Sequence, residues 1–76
     1  MLLAEKIKNL LTPGVGSLMA AGIVKSQCQN LGIDESGIKP KDLNLLSERI
    51  QIGIKIFVGT EMAYKIAEDI KWLTED

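Results

Sequence analysis

Pro13-Gly14-Val15-Gly16 stands between the apolar pair Leu10-Leu11 and the apolar run Leu18 to Val24. It is the tightest turn signal in the chain. A proline pushes the residue before it out of the helical region, and glycine accepts backbone angles that other residues avoid. On its N-terminal side Leu2, Leu3, Ile7, Leu10 and Leu11 recur at helical spacing, with Glu5, Lys6, Lys8 and Asn9 between them. That pattern predicts an amphipathic first helix of about three turns, stopped by Thr12-Pro13-Gly14. On its C-terminal side a second helix is expected from Gly16-Ser17, with Ser17 as its N-cap. Leu18 to Val24 leaves this helix no polar face for almost two turns, so it reads as a central helix covered on more than one side. Gly22 within that run would let another backbone come close, with packing offsetting its cost of roughly 1 kcal/mol against alanine.

The remaining elements follow from similar signals. Asn30-Leu31-Gly32-Ile33 reads as a helix ending, with Gly32 left-handed and Ile33 folding back as its apolar partner. Asp34 to Lys39 is a polar connection with room for a short extra turn. Pro40 and Asp42 suit the start of a third helix running to about Phe57. One stripe of that helix is Leu43, Leu46, Ile50, Ile54 and Phe57, and a second is Leu45, Ile52 and Ile56. Residues 50–58 also alternate as a strand would, and β-branched residues favour strands. A lone strand in so short a chain would lack a partner, and the helix is the reading kept. Thr60 is expected to cap a fourth helix with Met62, Ala63, Ile66, Ala67, Ile70 and Leu73 on one face. Trp72 falls off that face, as a rim residue over a helix end or as an exposed anchor for a partner.

The chain's 76 residues allow one domain, 1–76, and only 4% of them are aromatic, so the core must be aliphatic. Nine basic residues stand against ten acidic ones, a net charge of −1, with neither half strongly biased. Net charge therefore encodes no long-range attraction to nucleic acid or to an anionic membrane. The lone Cys28 excludes an internal disulfide and reads as a small buried hydrophobe. No apolar run approaches the roughly 20 residues that span a bilayer, and Met1-Leu2-Leu3-Ala4 meets Glu5 and Lys6 without a secretory pattern. The expectation is a soluble cytoplasmic protein with no membrane partner.

Val15-Gly16-Ser17-Leu18-Met19-Ala20-Ala21-Gly22-Ile23 is echoed 43 residues later by Val58-Gly59-Thr60-Glu61-Met62-Ala63-Tyr64-Lys65-Ile66. Each copy follows an amphipathic helix and opens another. Leu11 to Gly16, followed by Ala20 and Ile23, resembles the helix-hairpin-helix motif of DNA repair and recombination proteins. The resemblance covers about 14 residues well and the second copy poorly, since Phe57-Val58-Gly59-Thr60 has no proline and Glu61 follows it. It implies a compact bundle of paired hairpins. It also implies backbone contact with DNA phosphates, independent of base sequence, through Gly14, Gly16 and Ser17, with Lys25 in support. Basic residues are sparse around the first hairpin, and the same four residues also read as a plain connection between antiparallel helices.

The inventory excludes much chemistry. Without histidine there is no imidazole catalysis or ligation, and one cysteine makes no thiolate metal site. Gly14 to Ser17 lacks the ending of a Walker loop, and the Asp34-Glu35 and Glu68-Asp69 pairs read as surface. The resulting expectation is all-α: a compact four-helix (five with the extra turn) orthogonal bundle of two pseudo-repeated helix-hairpin-helix units. It is expected to be no enzyme, to need no cofactor and no metal, and to act by protein contacts or self-association. Phe57 and Trp72 are candidate partner-surface residues, and the alternative is weak DNA-backbone binding at residues 11–23. The motive is aliphatic excess on helices two and three, more than four helices would cover.

Overall fold

The computed structural model describes residues 1–75. Four helices follow one another: α1 (Leu3–Val15), α2 (Ser17–Leu31), α3 (Leu43–Val58) and α4 (Thr60–Lys71). Single 3-10 turns at Glu35–Gly37 and Pro40–Asp42 interrupt the connection between α2 and α3. Residues 50–58 are helical, and among the described residues there is no strand. The alternation of isoleucines there is overridden because Ile50 and Ile54, four apart, are both needed in the core, and both are fully buried.

Two adjacent helices are joined by a single glycine, twice. Gly16 between α1 and α2 has φ 86° and ψ 159°, and Gly59 between α3 and α4 has φ 87° and ψ 166°. Side chains with a Cβ essentially never occupy that region, so each reversal rests on the identity of one residue. The bonding repeats too. The Gly16 amide donates to Thr12 O at 2.8 Å and Gly59 to Lys55 O at 2.9 Å. Ala20 then donates back to Gly16 O, and Ala63 to Gly59 O, opening the next helix. With the turn this short, the arms must come close at their base, and the residue there is alanine in both copies, fully buried.

The repeat reaches further back than its glycine. At the same offset of 43, Leu3 matches Leu46, Ile7 matches Ile50 and Leu11 matches Ile54, all buried. Ala4 is matched by Ser47, whose buried hydroxyl donates to Asn44 O at 2.8 Å. α1 and α3 therefore give matching residues to one apolar cluster, though Phe57, expected on the inner stripe of α3, is 59% exposed at the helix end. α3 packs on α4 and α1 on α2, while α1 also meets both α3 and α4.

Several expectations are corrected. α1 does not stop at Thr12 but runs through Pro13 to Val15. Proline removes one amide there, but the Thr12 hydroxyl adds a bond to Lys8 O at 2.7 Å, and burial of Leu11 and packing of Val15 hold the last turn helical. Ser17 and Thr60 are first helical residues, not N-caps; Gly16 and Gly59 occupy the cap positions, with no side-chain cap bond. α2 is not central either. Only Ala20, Val24 and Cys28 are buried on it, while Leu18 is 89% exposed, because α4 packs on α3 and α1 instead of closing over α2.

The ending of α2 is as expected. Gly32 is left-handed and donates to Gln29 O at 3.2 Å, while Ile33 donates to Cys28 O at 2.9 Å and packs against the core. Beyond it, Asp42 accepts from the Lys39 amide at 2.9 Å to start the next helix, and Lys8 reaches Glu35 at 3.1 Å to tie the connection to α1. The Lys6 ammonium donates to Thr74 O, holding the segment after α4 beside α1.

Gly16→Ala and Gly59→Ala should each lower stability by about 1–3 kcal/mol in urea unfolding, although a Cβ at either site meets nothing within 4 Å. A loss of under about 0.5 kcal/mol at both would show that the turns do not depend on glycine.

Candidate functional site

The residues singled out at the first hairpin divide by what they do. Gly14 lies in the last turn of α1, and a Cβ there would come 3.0 Å from Val58 Cγ1 and 3.7 Å from Ile66 Cδ1. Its missing side chain thus lets the first hairpin seat against the second. Gly16 is the turn itself, and Ser17 begins α2 as an exposed residue. The amides of Ser17, Leu18 and Met19 precede the first bond of α2 and have no partner within the helix, as at any helix start. Lys25 is exposed two turns further on. The sequence holds no charged residue between Lys8 and Lys25, so the hairpin tip carries helix-start amides and apolar side chains without cationic reinforcement. In the second hairpin Glu61 stands exposed at the corresponding place.

An open depression of about 610 Å³ lies at the second tip, lined by Val58, Gly59, Thr60, Glu61, Met62 and Lys65, and two smaller ones lie between helices. One, between α1 and α4, is lined by Leu10, Pro13, Gly14, Met62, Lys65 and Asp69, among others, with a volume of about 270 Å³. Another, of about 250 Å³, is lined by Gln27 of α2 and Arg49, Ile52 and Gly53 of α3. The Arg49 Nε–H donates to Gln27 Oε1 at 2.9 Å and spans the two helices. None of the three collects acid, base and nucleophile, and among the described residues no three His, Cys, Asp or Glu side chains are grouped to hold a metal ion.

What the surface offers is apolar. Leu45, Ile52 and Ile56 recur at i, i+7 and i+11, a single stripe of α3, and are 49%, 77% and 86% exposed. This is the second stripe visible in the sequence, and no helix covers it. Phe57, at the end of α3, is 59% exposed. Trp72 is 78% exposed just past α4, so it does not cover the helix end as a rim residue would. The total accessible surface of 4718 Å² is nonetheless close to the roughly 4,600 Å² of an ordinary folded monomer of this mass. The chain is packed normally, and its open aliphatic residues belong to a formed surface.

Two glycines lie mid-helix, Gly22 in α2 and Gly53 in α3. A Cβ at Gly22 or Gly53 would meet nothing within 4 Å. Gly22 therefore admits no neighbouring helix within this chain, contrary to the close approach expected from its sequence context. Nothing in the periodicity of the sequence marks Gly53 or the Arg49–Gln27 link, because both depend on how α2 and α3 cross.

Cys28 is 2% exposed among core residues. Burial, with Glu35 nearby, pushes its thiol above the ordinary value, which suits a packing residue and opposes thiolate chemistry. No family model, curated protein or solved structure matches the chain.

A raised thiol value favours the neutral, folded form. The corresponding stability is present below the unfolded value of about pH 8.5 and is lost as pH rises toward the folded one. The urea midpoint should fall more between pH 7 and pH 10 for the native chain than for Cys28→Ala; equal falls would contradict this. Gly22→Ala and Gly53→Ala should each raise stability by about 0.5–1 kcal/mol, since the open sites cost helix propensity without packing in return.

Proposed function

We propose that the chain is a non-catalytic helical interaction module that works through contacts with protein. The observation that carries this reading is the stripe Leu45, Ile52 and Ile56, open on a helix whose other stripe is buried from Leu43 to Ile54. Aliphatic side chains on that outer side add nothing to the core, and contiguous apolar surface of this kind is what partner sites are made of. A buried, unpaired thiol suits the reducing cytoplasm, where the module would work.

Immobilised chain should retain protein from a lysate of its host after nuclease treatment, and Ile56→Glu should reduce that retention at least tenfold. Retention abolished by nuclease, or unchanged in Ile56→Glu, would overturn the reading.

A second reading has its own support: two open glycine turns, each followed by a helix start, lie side by side where Gly14 meets Val58. That arrangement fits weak contact with DNA phosphates at Gly14, Gly16 and Ser17, with Lys25 in support. Binding of a labelled duplex should then fall steeply with salt and weaken at least fivefold in Ser17→Glu. Ser17 is the better probe than Gly14, because a side chain at Gly14 would disturb the packing on Val58. Absence of binding at low salt would remove this reading.

A further inference from the structure

α2 is held more lightly than any other helix of the fold. Of its 15 residues only Ala20, Val24 and Cys28 are buried, the smallest apolar set that any of the four helices gives to the core. The other three are each pinned by buried branched side chains: α1 by Ile7 and Leu11, α3 by Ile50 and Ile54, α4 by Ile66 and Ile70. α2 buries no leucine or isoleucine to that depth, and Ile23 and Leu31 reach the core only in part. Burial of such side chains is the main increment that keeps a helix docked. α2 packs on α1 and α3 and makes no contact with α4. It covers one side of the core without being covered itself.

Both of its ends are free to turn. Gly16 before it has φ 86° and Gly32 after it has φ 69°. A Cβ at either would meet nothing within 4 Å, so no neighbouring side chain blocks rotation there. Gly14 differs: it is seated against Val58, which keeps the last turn of α1 with the second hairpin. Gly59 is as open as Gly16, but α4 beyond it is anchored by Ile66 and Ile70. α2 alone combines an open glycine at each end with a shallow anchorage between them. The side-chain bond that ties it across to α3, from Arg49 to Gln27, is exposed, where water replaces either partner at little cost.

From this we infer that α2 is a hinged lid, swinging from the core as one unit about Gly16 and Gly32 while α1, α3 and α4 stay folded. Opening bares Ala20, Val24 and Cys28 and joins them to Leu18 and Met19, which are already exposed. The apolar run Leu18 to Val24 is then free on every side, and the closed and open forms present different apolar surfaces. Units that open below the free energy of global unfolding are drawn from elements with few buried apolar contacts. The motion needs no partner, so it goes beyond the module reading and does not depend on it.

Cys28 is the chain's one cysteine and lies under the lid. Its iodoacetamide labelling rate in the folded chain, divided by that in the urea-unfolded chain, measures the open fraction. That fraction should exceed the globally unfolded fraction at least tenfold. It should rise with urea at less than half the global slope, because α2 is about a fifth of the chain and the slope follows the surface exposed. Amide exchange should show α2 leaving as one group ahead of the centres of α1, α3 and α4. Val24→Ala should raise the open fraction at least fivefold. Ile70→Val should lower the urea midpoint yet leave the open fraction within about 1.5-fold, since Ile70 stays buried when the lid opens. Labelling that follows global unfolding in both variants would overturn the inference. So would α1 amides that exchange in step with those of α2, or a labelling rate independent of urea, the mark of fraying at Cys28 alone.

Discussion

Two helix reversals made by one residue each are the constraint on which this structure depends. A turn through φ near 86° and ψ near 160° leaves no loop to adjust, so the direction of the returning helix is set by the glycine and by the residues at its base. Alanine at Ala20 and Ala63 lets the arms meet, and the same depth of burial recurs along α1 and α3. The two hairpins then share one core because Gly14 leaves room for Val58. Conformational freedom at Gly16 and Gly59 and small volume at Gly14, Ala20 and Ala63 are separate requirements, and the chain meets both with the smallest residues.

That economy has a consequence for the surface. Four short helices share one core, and α1 and α3 bury one side each and little more. A second apolar stripe on α3 has nowhere to go, and α2, lying to one side, keeps Leu18 and Met19 partly or wholly in water. Solvation of such residues is unfavourable by about 25 cal/mol per Å² of apolar surface. At the 43-residue offset Ile52, Ile56 and Leu18 stand where the other hairpin has Asn9, Pro13 and Glu61, so the two copies differ in how apolar their outer sides are.

Charge plays a local part. Lys8 with Glu35 and Asp42 with the Lys39 amide organise the α2–α3 connection, and Arg49 with Gln27 bridges α2 and α3. These contacts are partly exposed, and exposed pairs contribute little stability. Their value lies in fixing the path of the connection and in tying α2 to α3.

Much was legible in the residues alone. Four helices, the left-handed ending at Gly32, the buried role of Cys28 and the uncovered stripe Leu45, Ile52 and Ile56 all follow from spacing and turn chemistry, which act over a few residues. The 43-residue echo was readable too, and could have been extended to Leu3–Leu46 and Ile7–Ile50, identical pairs that continue it backwards. The end of α1 was not legible, because the local bias of Thr12-Pro13 is outweighed by burial of Leu11 and packing of Val15. Nor was the side position of α2, since an all-apolar run looks central until the helices that would cover it are placed. Trp72 was undecided, and Gly22 was wrongly expected to seat a neighbouring backbone, for the same reason: whether a side chain is covered, or a missing one filled, depends on partners distant in sequence. Periodicity determined which residues face inward along each helix; only the crossing of the hairpins decided which outward faces were left open.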